Sequence, residues 1–281
     1  MKKNKIAFQG EQGAYSHIVC ETLFKDAVIK ACSTFEETFR TAYDDENYKI
    51  IIPIENSLAG RIADIHYLLP KYKLQIYAEH FQVVEHNLLV KQNTDLKDIK
   101  YVRSHAQAID QCQNIIQKYK FKTIISADTA GSAKELSKSN DKSIAAIASK
   151  LSAKIYDLEI LEKNIEDDSG NVTRFLIMGK NIKQPEYEKS KKYITSCIFR
   201  VKSIYAALYK CLGGFATNQV NLTKLESFSV KNTFEQTNFY LDLEGHIEDP
   251  RVQKALEELG FHTERLDILG VYEASLFRQK K

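Results

Sequence analysis

The sequence predicts an α/β protein followed by a smaller α+β unit. Two observations carry this. Up to about residue 180, short apolar runs alternate with stretches of helical periodicity, the pattern of a mostly parallel sheet with helices on both faces. After a polar stretch at 181–192 the order becomes strand, helix, strand, strand, helix, strand, which is ferredoxin-like. We therefore divide the chain into a domain at 1–180, a linker at 181–192 and a second domain at 193–281. The length, 281 residues, suits two domains.

The elements follow in order. Lys5 to Gln9 reads as a buried strand, and Gly10-Glu11-Gln12-Gly13 turns into a helix from about Ser16. Ser33-Thr34-Phe35-Glu36 reads as a capping box before a helix carrying Phe39 and Ala42. Tyr48 to Ile54 is a strand ending in Glu55-Asn56-Ser57, with a helix expected to place Leu58, Ile62, Ile65 and Leu69 on one face. Leu74 to Val84 and Asn87 to Val90 read as strands. Tyr101 to Arg103 precedes Ser104-His105-Ala106-Gln107 and one helix with Ile109, Cys112, Ile116 and Tyr119 inward. Thr123 to Ser126 and Ser143 to Ala148 are strands, each followed by a helix, the first opened by Asp128-Thr129. Past the linker come strands at 193–201, 222–230, 234–243 and 263–269. A helix at 204–212 ends at Gly213-Gly214, and another starts near Pro250 and ends at Gly260.

Composition narrows the function classes. The chain is 43% hydrophobic and 27% charged, enough to bury a core. A net charge of +3 argues for neither nucleic acid nor membrane as a partner. Five dispersed cysteines without C-x-x-C read as reduced thiols in a cytoplasmic protein. Seven histidines show no metal-ligand spacing, and no dinucleotide fingerprint is present, so no cofactor or metal is expected. The apolar run after Met1-Lys2-Lys3 is too short for a signal peptide.

The candidate site is built on Asn171-Val172-Thr173-Arg174-Phe175, at the mouth of an apolar strand. By itself this is a strand-edge arginine beside a β-favouring threonine. However, Gln12, Glu55-Asn56-Ser57, Ser104-His105 and Asp128-Thr129 also follow the carboxyl ends of strands, where open α/β sheets bind ligands. Helix capping accounts for some of these residues. Glu55 and His105 are poor caps, which leaves part of the set to be explained.

At this point the sequence resembles the prephenate dehydratases along nearly its whole length. Phe8-Gln9-Gly10 with Gly13-Ala14-Tyr15-Ser16, Pro53-Ile54-Glu55-Asn56-Ser57, Ser104-His105-Ala106-Gln107-Ala108, Thr129-Ala130, Ala145-Ala146-Ile147-Ala148 and Asn171-x-Thr173-Arg174-Phe175 resemble the family's motifs in order, with Ala106 where the family usually has Pro. The resemblance implies a two-lobed, periplasmic-binding-protein-like catalytic domain and a C-terminal ACT domain. It implies conversion of prephenate to phenylpyruvate, carbon dioxide and water, in L-phenylalanine biosynthesis. Catalysis then falls to Thr173, Arg174 and Glu55. Thr173 would hydrogen-bond the departing hydroxyl, with Glu55 either its polarising neighbour or the acid itself, and Arg174 would clamp a carboxylate. Asn56, Ser57, Ser104, Gln107, Thr129 and Phe175 would bind substrate.

The resemblance also implies L-phenylalanine feedback at Ala206, Ala207, Leu208, Asn221, Leu222, Glu226 and Ser227, in a homodimer or homotetramer. Two departures bear on it. Ala206 stands where the family has Gly, and Phe228 follows Glu226-Ser227 where Arg is frequent. Arogenate dehydratase is the alternative within this chemistry. A solute-binding protein or an ACT-type sensor is the non-enzymatic alternative.

Overall fold

The computed structural model describes residues 3–229 and 236–279. Met1-Lys2, the end of the strand expected at 222–230 and the start of that expected at 234–243 lie outside the described residues. The chain forms two compact units. One comprises 1–41, 47–62 and 80–175; the other comprises 42–46, 63–79 and 176–281.

In the first unit, β1 (Lys5–Gln9), β2 (Val28–Cys32) and β3 (Tyr48–Asn56) pair in parallel, with β1 central. The helices α1 (Tyr15–Leu23) and α2 (Phe35–Asp44) connect them. Of their apolar residues, Ile6, Phe8, Val19, Phe39 and Ile51 are fully buried. The capping box lies one residue later than expected. Thr34 Oγ1 accepts from Glu37 N at 3.0 Å, and the Glu37 carboxylate accepts from Ser33 N and Ser33 Oγ. These donors hold the Glu37 carboxyl below its ordinary range.

The helix expected after Ser57 does not form there. Asn56 Oδ1 accepts from the backbone N–H groups of Leu58 and Ala59, a turn that competes with helix. Gly60, at φ +75, then reverses the chain into β4 (Gly60–Arg61), antiparallel to β3. A 3-10 turn at Ala63–Tyr67 and the short α3 (Leu68–Tyr72) follow, and then β5 (Gln75–Val83).

A second sheet is built from β6 (Asn87–Val90), β7 (Tyr101–Ser104), β8 (Lys122–Ile125), β9 (Ile144–Ala148) and β10 (Glu159–Glu162), in the order β10-β6-β9-β7-β8. It is mixed rather than mostly parallel, because β6 runs antiparallel to both of its neighbours. The single helix expected over 109–119 is two, α4 (Ala106–Asp110) and α5 (Gln113–Tyr119). The Asp167 carboxylate accepts from Gln113 N and Asn114 N, which opens a new helix at that point. The helices α6 (Thr129–Lys138) and α7 (Lys150–Ile155) are capped by Asp128 and Ser149. Then β11 (Val172–Gly179) pairs between β3 and β5 in the first sheet; β5 begins in the second unit and ends in the first, whereas β11 begins in the first and ends in the second.

The second unit contains β12 (Tyr193–Val201), α8 (Ala207–Thr217), β13 (Leu222–Ser229), β14 (Thr237–Glu244), α9 (Pro250–Phe261) and β15 (Thr263–Glu273), the expected order. The sheet runs β13-β14-β12-β15, and β14 and β15 both flank β12 antiparallel. Cys197, Phe199, Leu241 and Leu243 meet Phe215, Val252 and Leu259 of the helices on one face. Gly213 and Gly214 do not end α8 but lie inside it. A Cβ on Gly214 would sit 2.7 Å from Glu258 Cβ, so glycine lets α8 and α9 approach. The other face of the sheet takes residues 63–79 of the same unit: Gly270 lies against the Ile76 backbone, and His66 against Phe228 and Tyr240.

Candidate functional site

Asn56 is the last residue of β3, and its amide is fully committed. Its oxygen takes the two turn N–H groups named above. Its nitrogen donates to Asn171 Oδ1 at 2.7 Å and to Thr173 Oγ1 at 3.0 Å. Ser57 fastens the same stretch: its N–H donates to Val172 O, and its Oγ accepts from Val172 N and donates to Gly170 O. The hydroxyl of Thr173 is therefore an acceptor towards Asn56. Its own proton is directed elsewhere.

That hydroxyl faces a small polar cavity of about 100 Å³, lined by Tyr15, Asn56, Val84, His86, His105, Gln107, Ala108, Gln111, Thr129, Asn171 and Thr173. Pockets for whole drug-sized ligands run to roughly 300–1,000 Å³. The cavity thus suits one polar end of a ligand. Its lining has no lysine, arginine or carboxylate. The polar side chains form a continuous chain. Asn171 Nδ2 donates to Gln111 Oε1 at 2.8 Å, Gln111 Oε1 lies 3.0 Å from His86 Nε2, and His86 Nδ1 lies 3.0 Å from the Tyr15 hydroxyl. Burial holds the His86 ring below its ordinary pKa near 6.5, against the Gln111 contact and the Glu166 charge, so the ring is neutral at pH 7. Burial, with Glu166 adding to it, pushes the Tyr15 phenol well above its ordinary value.

Side chains alternate along a strand, and this sorts the catalytic motif. Thr173 and Asn56 share one face of the sheet; Arg174 and Glu55 share the other. Arg174 is 1% exposed, and its guanidinium donates to Glu55 Oε1 at 3.1 Å. The structure thus places Glu55 beside Arg174 rather than beside Thr173, and Arg174 on a protein carboxylate and outside the cavity lining.

Of the residues expected to bind substrate, Asn56, Gln107 and Thr129 line the cavity with Thr173. Ser104 does not, because its hydroxyl donates to Ile147 O at 2.7 Å. Ser57 clasps backbone, and Phe175 is core at 1% exposure. His105 proves to be a cap after all, accepting from Gln107 N. The sequence reading gave no role to Tyr15 and Asn171, although both lie in motifs it named, and missed His86 and Gln111 as lining residues. Gln111 had a signal, since it follows Gln107 by one helical turn.

In the second unit, Ala206 precedes α8 with φ +54, a left-handed conformation that glycine adopts at less cost. Ala207 is buried and Leu208 packs into the core. Asn221 precedes β13, which begins at Leu222. Glu226 and Ser227, as strand neighbours, point to opposite faces. The Glu226 carboxylate accepts from Lys224 Nζ at 2.7 Å and lies 3.0 Å from His66 Nε2. A larger cavity, of about 880 Å³, lies in this unit between Tyr187, Lys189, Tyr193, His246 and Arg251, and holds none of the expected site residues.

Among the described residues no group of side chains is placed to hold a metal ion, and no helix is long and apolar enough to cross a membrane.

Comparison with known proteins bears on the same stretch. The prephenate dehydratase family model matches residues 6–183, which include every cavity-lining residue. A bifunctional N-acyl-homoserine lactone acylase/prephenate dehydratase of Komagataeibacter europaeus is 41% identical, over 98% of this chain and 98% of that one. A prephenate dehydratase of Methanocaldococcus jannaschii is 35% identical, over 88% of each. Among solved structures, a prephenate dehydratase of Arthrobacter aurescens in complex with L-Phe superposes with a TM-score of 0.85 at 25% identity, covering 96% of this chain and 90% of that one. With a family match over the residues that build the cavity and a relative this similar end to end, the chain belongs to the prephenate dehydratase family.

Proposed function

We propose that this chain carries out the decarboxylating dehydration of prephenate to phenylpyruvate in L-phenylalanine biosynthesis, with Thr173 as the donor to the leaving hydroxyl. One observation carries the assignment: Thr173 Oγ1 accepts from Asn56, so its proton is left for a ligand. In the reaction the ring carboxylate departs as carbon dioxide. The electron pair of that C–C bond enters the ring, and the ring C–O bond breaks. The oxygen leaves as water after taking one proton, delivered along the Thr173 hydrogen bond. Asn56, donating into the same Oγ, steadies the charge that develops there.

Gln107 and Thr129 supply neutral donors to the rest of the substrate end. A cation on the carboxylate that must leave would hold the ground state more than the transition state. Arg174 acts through Glu55, keeping the two strands that carry Asn56 and Thr173 in register.

Within this reading 1–180 is a two-lobed, periplasmic-binding-protein-like catalytic domain, 181–192 a linker and 193–281 an ACT domain. The observed βαββαβ order supports the last assignment. L-phenylalanine is the effector we assign to it, at an interface between subunits of a homodimer or homotetramer, with Ala206 to Leu208 and Asn221 to Ser227 at the ligand. The L-Phe complex of the Arthrobacter aurescens relative supports that effector. The absence of a membrane-length helix among the described residues is compatible with the cytoplasmic location we assign.

The test is turnover by the purified protein with prephenate and arogenate side by side. Faster formation of phenylpyruvate from prephenate is expected. Faster formation of phenylalanine from arogenate would reassign the substrate, and no turnover of either would favour a binding or sensing protein.

A further inference from the structure

The amides of Asn56, Asn171 and Gln111 have no freedom of assignment, and this fixes His86, three side chains removed from Thr173 along the hydrogen-bonded chain. Asn56 Oδ1 must be oxygen, because two backbone N–H groups point at it. The other end of Asn56 is then the NH₂ group, so the Asn171 atom facing it at 2.7 Å must be an acceptor. Asn171 therefore turns its own NH₂ to Gln111 at 2.8 Å, which makes that Gln111 atom an oxygen. The same oxygen lies 3.0 Å from His86 Nε2. A carbonyl oxygen has no proton to give, so the proton between them belongs to His86.

We infer that His86 is a positioning residue for Thr173, held as its Nε2–H tautomer and acting through Gln111, Asn171 and Asn56. The inference rests on Thr173 as the donor to the leaving group. His86 is 2% exposed, and its backbone N–H donates to the Glu166 carboxylate at 2.8 Å, so the ring is anchored. With the proton on Nε2, Nδ1 of the neutral ring is an acceptor, and the Tyr15 hydroxyl faces it at 3.0 Å. That hydroxyl also reaches Glu85 O at 2.7 Å, so one phenolic proton serves two acceptors. The Nε2–H contact keeps Gln111 from rotating. A rotated Gln111 would set NH₂ against NH₂ at Asn171, and Asn171 would turn in its place. Asn56 would then lose its partner beside Thr173.

Two substitutions separate reach from bulk. The amide of His86→Gln extends to the Nε2 position, whereas the shorter amide of His86→Asn stops near Nδ1. His86→Asn should lower kcat roughly tenfold, about the worth of one hydrogen bond, and leave KM within about twofold. His86→Gln should stay within about threefold of the unaltered enzyme on the same scale. In a Thr173→Ala background His86→Asn should add little, since the group it positions is gone. On the unaltered protein, ¹⁵N NMR should report Nε2 as the protonated ring nitrogen and Nδ1 as the bare one.

A proton on Nδ1 with Nε2 bare would overturn the inference, as would equal losses in His86→Gln and His86→Asn. So would an undiminished His86→Asn effect in the Thr173→Ala background. Thr173→Ala alone tests the reading beneath: if that variant keeps its kcat, Thr173 is not the donor. A loss in Thr173→Ala with no loss in His86→Asn would overturn only the positioning role.

Discussion

Asn56→Asp changes almost no volume and reverses the chemistry at the centre of the site. The asparagine NH₂ lies 2.7 Å from Asn171 Oδ1 and 3.0 Å from Thr173 Oγ1. A carboxylate oxygen there can only accept. Against Asn171 it faces another oxygen. Against Thr173 it takes the hydroxyl proton, which turns the donor away from the ligand. A hydrogen bond to a charged group is worth about 1.5–3 kcal/mol, and that interaction must be broken before Thr173 can serve the leaving group. At about 1.4 kcal/mol per tenfold, kcat should fall by a factor of roughly 10 to 150. KM should change much less, because Gln107 and Thr129 are untouched. Asn56→Ala should cost less in kcat than Asn56→Asp, since alanine does not capture the Thr173 proton. The assay is initial-rate formation of phenylpyruvate, with thermal melting run alongside to confirm folding. A folded Asn56→Asp enzyme with unaltered kcat would refute the reasoning, as would Asn56→Ala proving the more damaging.

Three other outcomes are expected. Glu55→Gln leaves the buried Arg174 guanidinium facing a neutral amide, so urea unfolding should show a loss of up to about 3 kcal/mol; unchanged stability would mean the pair contributes nothing. Ala206→Gly relieves the left-handed backbone and should stabilise the protein by about 0.5–1 kcal/mol in thermal melts, while tightening L-phenylalanine inhibition without changing uninhibited turnover. The third concerns pH. Burial lowers the pKa values of His17 and His86 below the ordinary value near 6.5, so between the two values the unfolded chain binds more protons than the folded one. Stability should be fully present above about pH 6.5 and decline as pH falls through that value; a urea midpoint unchanged between pH 7.5 and 5.5 would contradict this.

Much of this architecture was legible, and the failures have physical causes. The strand positions follow from apolar runs such as Ile50 to Ile54, and the order of the second unit from its alternation of patterns. The lost helix after Ser57 turned on Asn56, whose side chain captured two N–H groups that a helix would have needed. Gly213-Gly214 resembled a helix end. Their reason lies instead in the approach of α9, which no local pattern shows. In the site, Thr173 and Asn56 were readable as punctuation at strand ends. The separation of Thr173 from Arg174 was readable too, since neighbours in a strand face opposite ways. By contrast, His86 joins Gln111 and Asn171 only through the tertiary fold, and by itself it is an ordinary polar residue.

The central claim is that the Thr173 hydroxyl donates to the leaving group, and Thr173→Val tests it most directly. Valine keeps the branched shape and removes only the hydroxyl. With prephenate as substrate, kcat should fall by a factor on the order of 10²–10⁴, the range for a lost proton donor, with KM within a few-fold. Thr173→Ser, which restores a hydroxyl, should recover most of that loss. A folded Thr173→Val enzyme that retains most of its kcat would contradict the account.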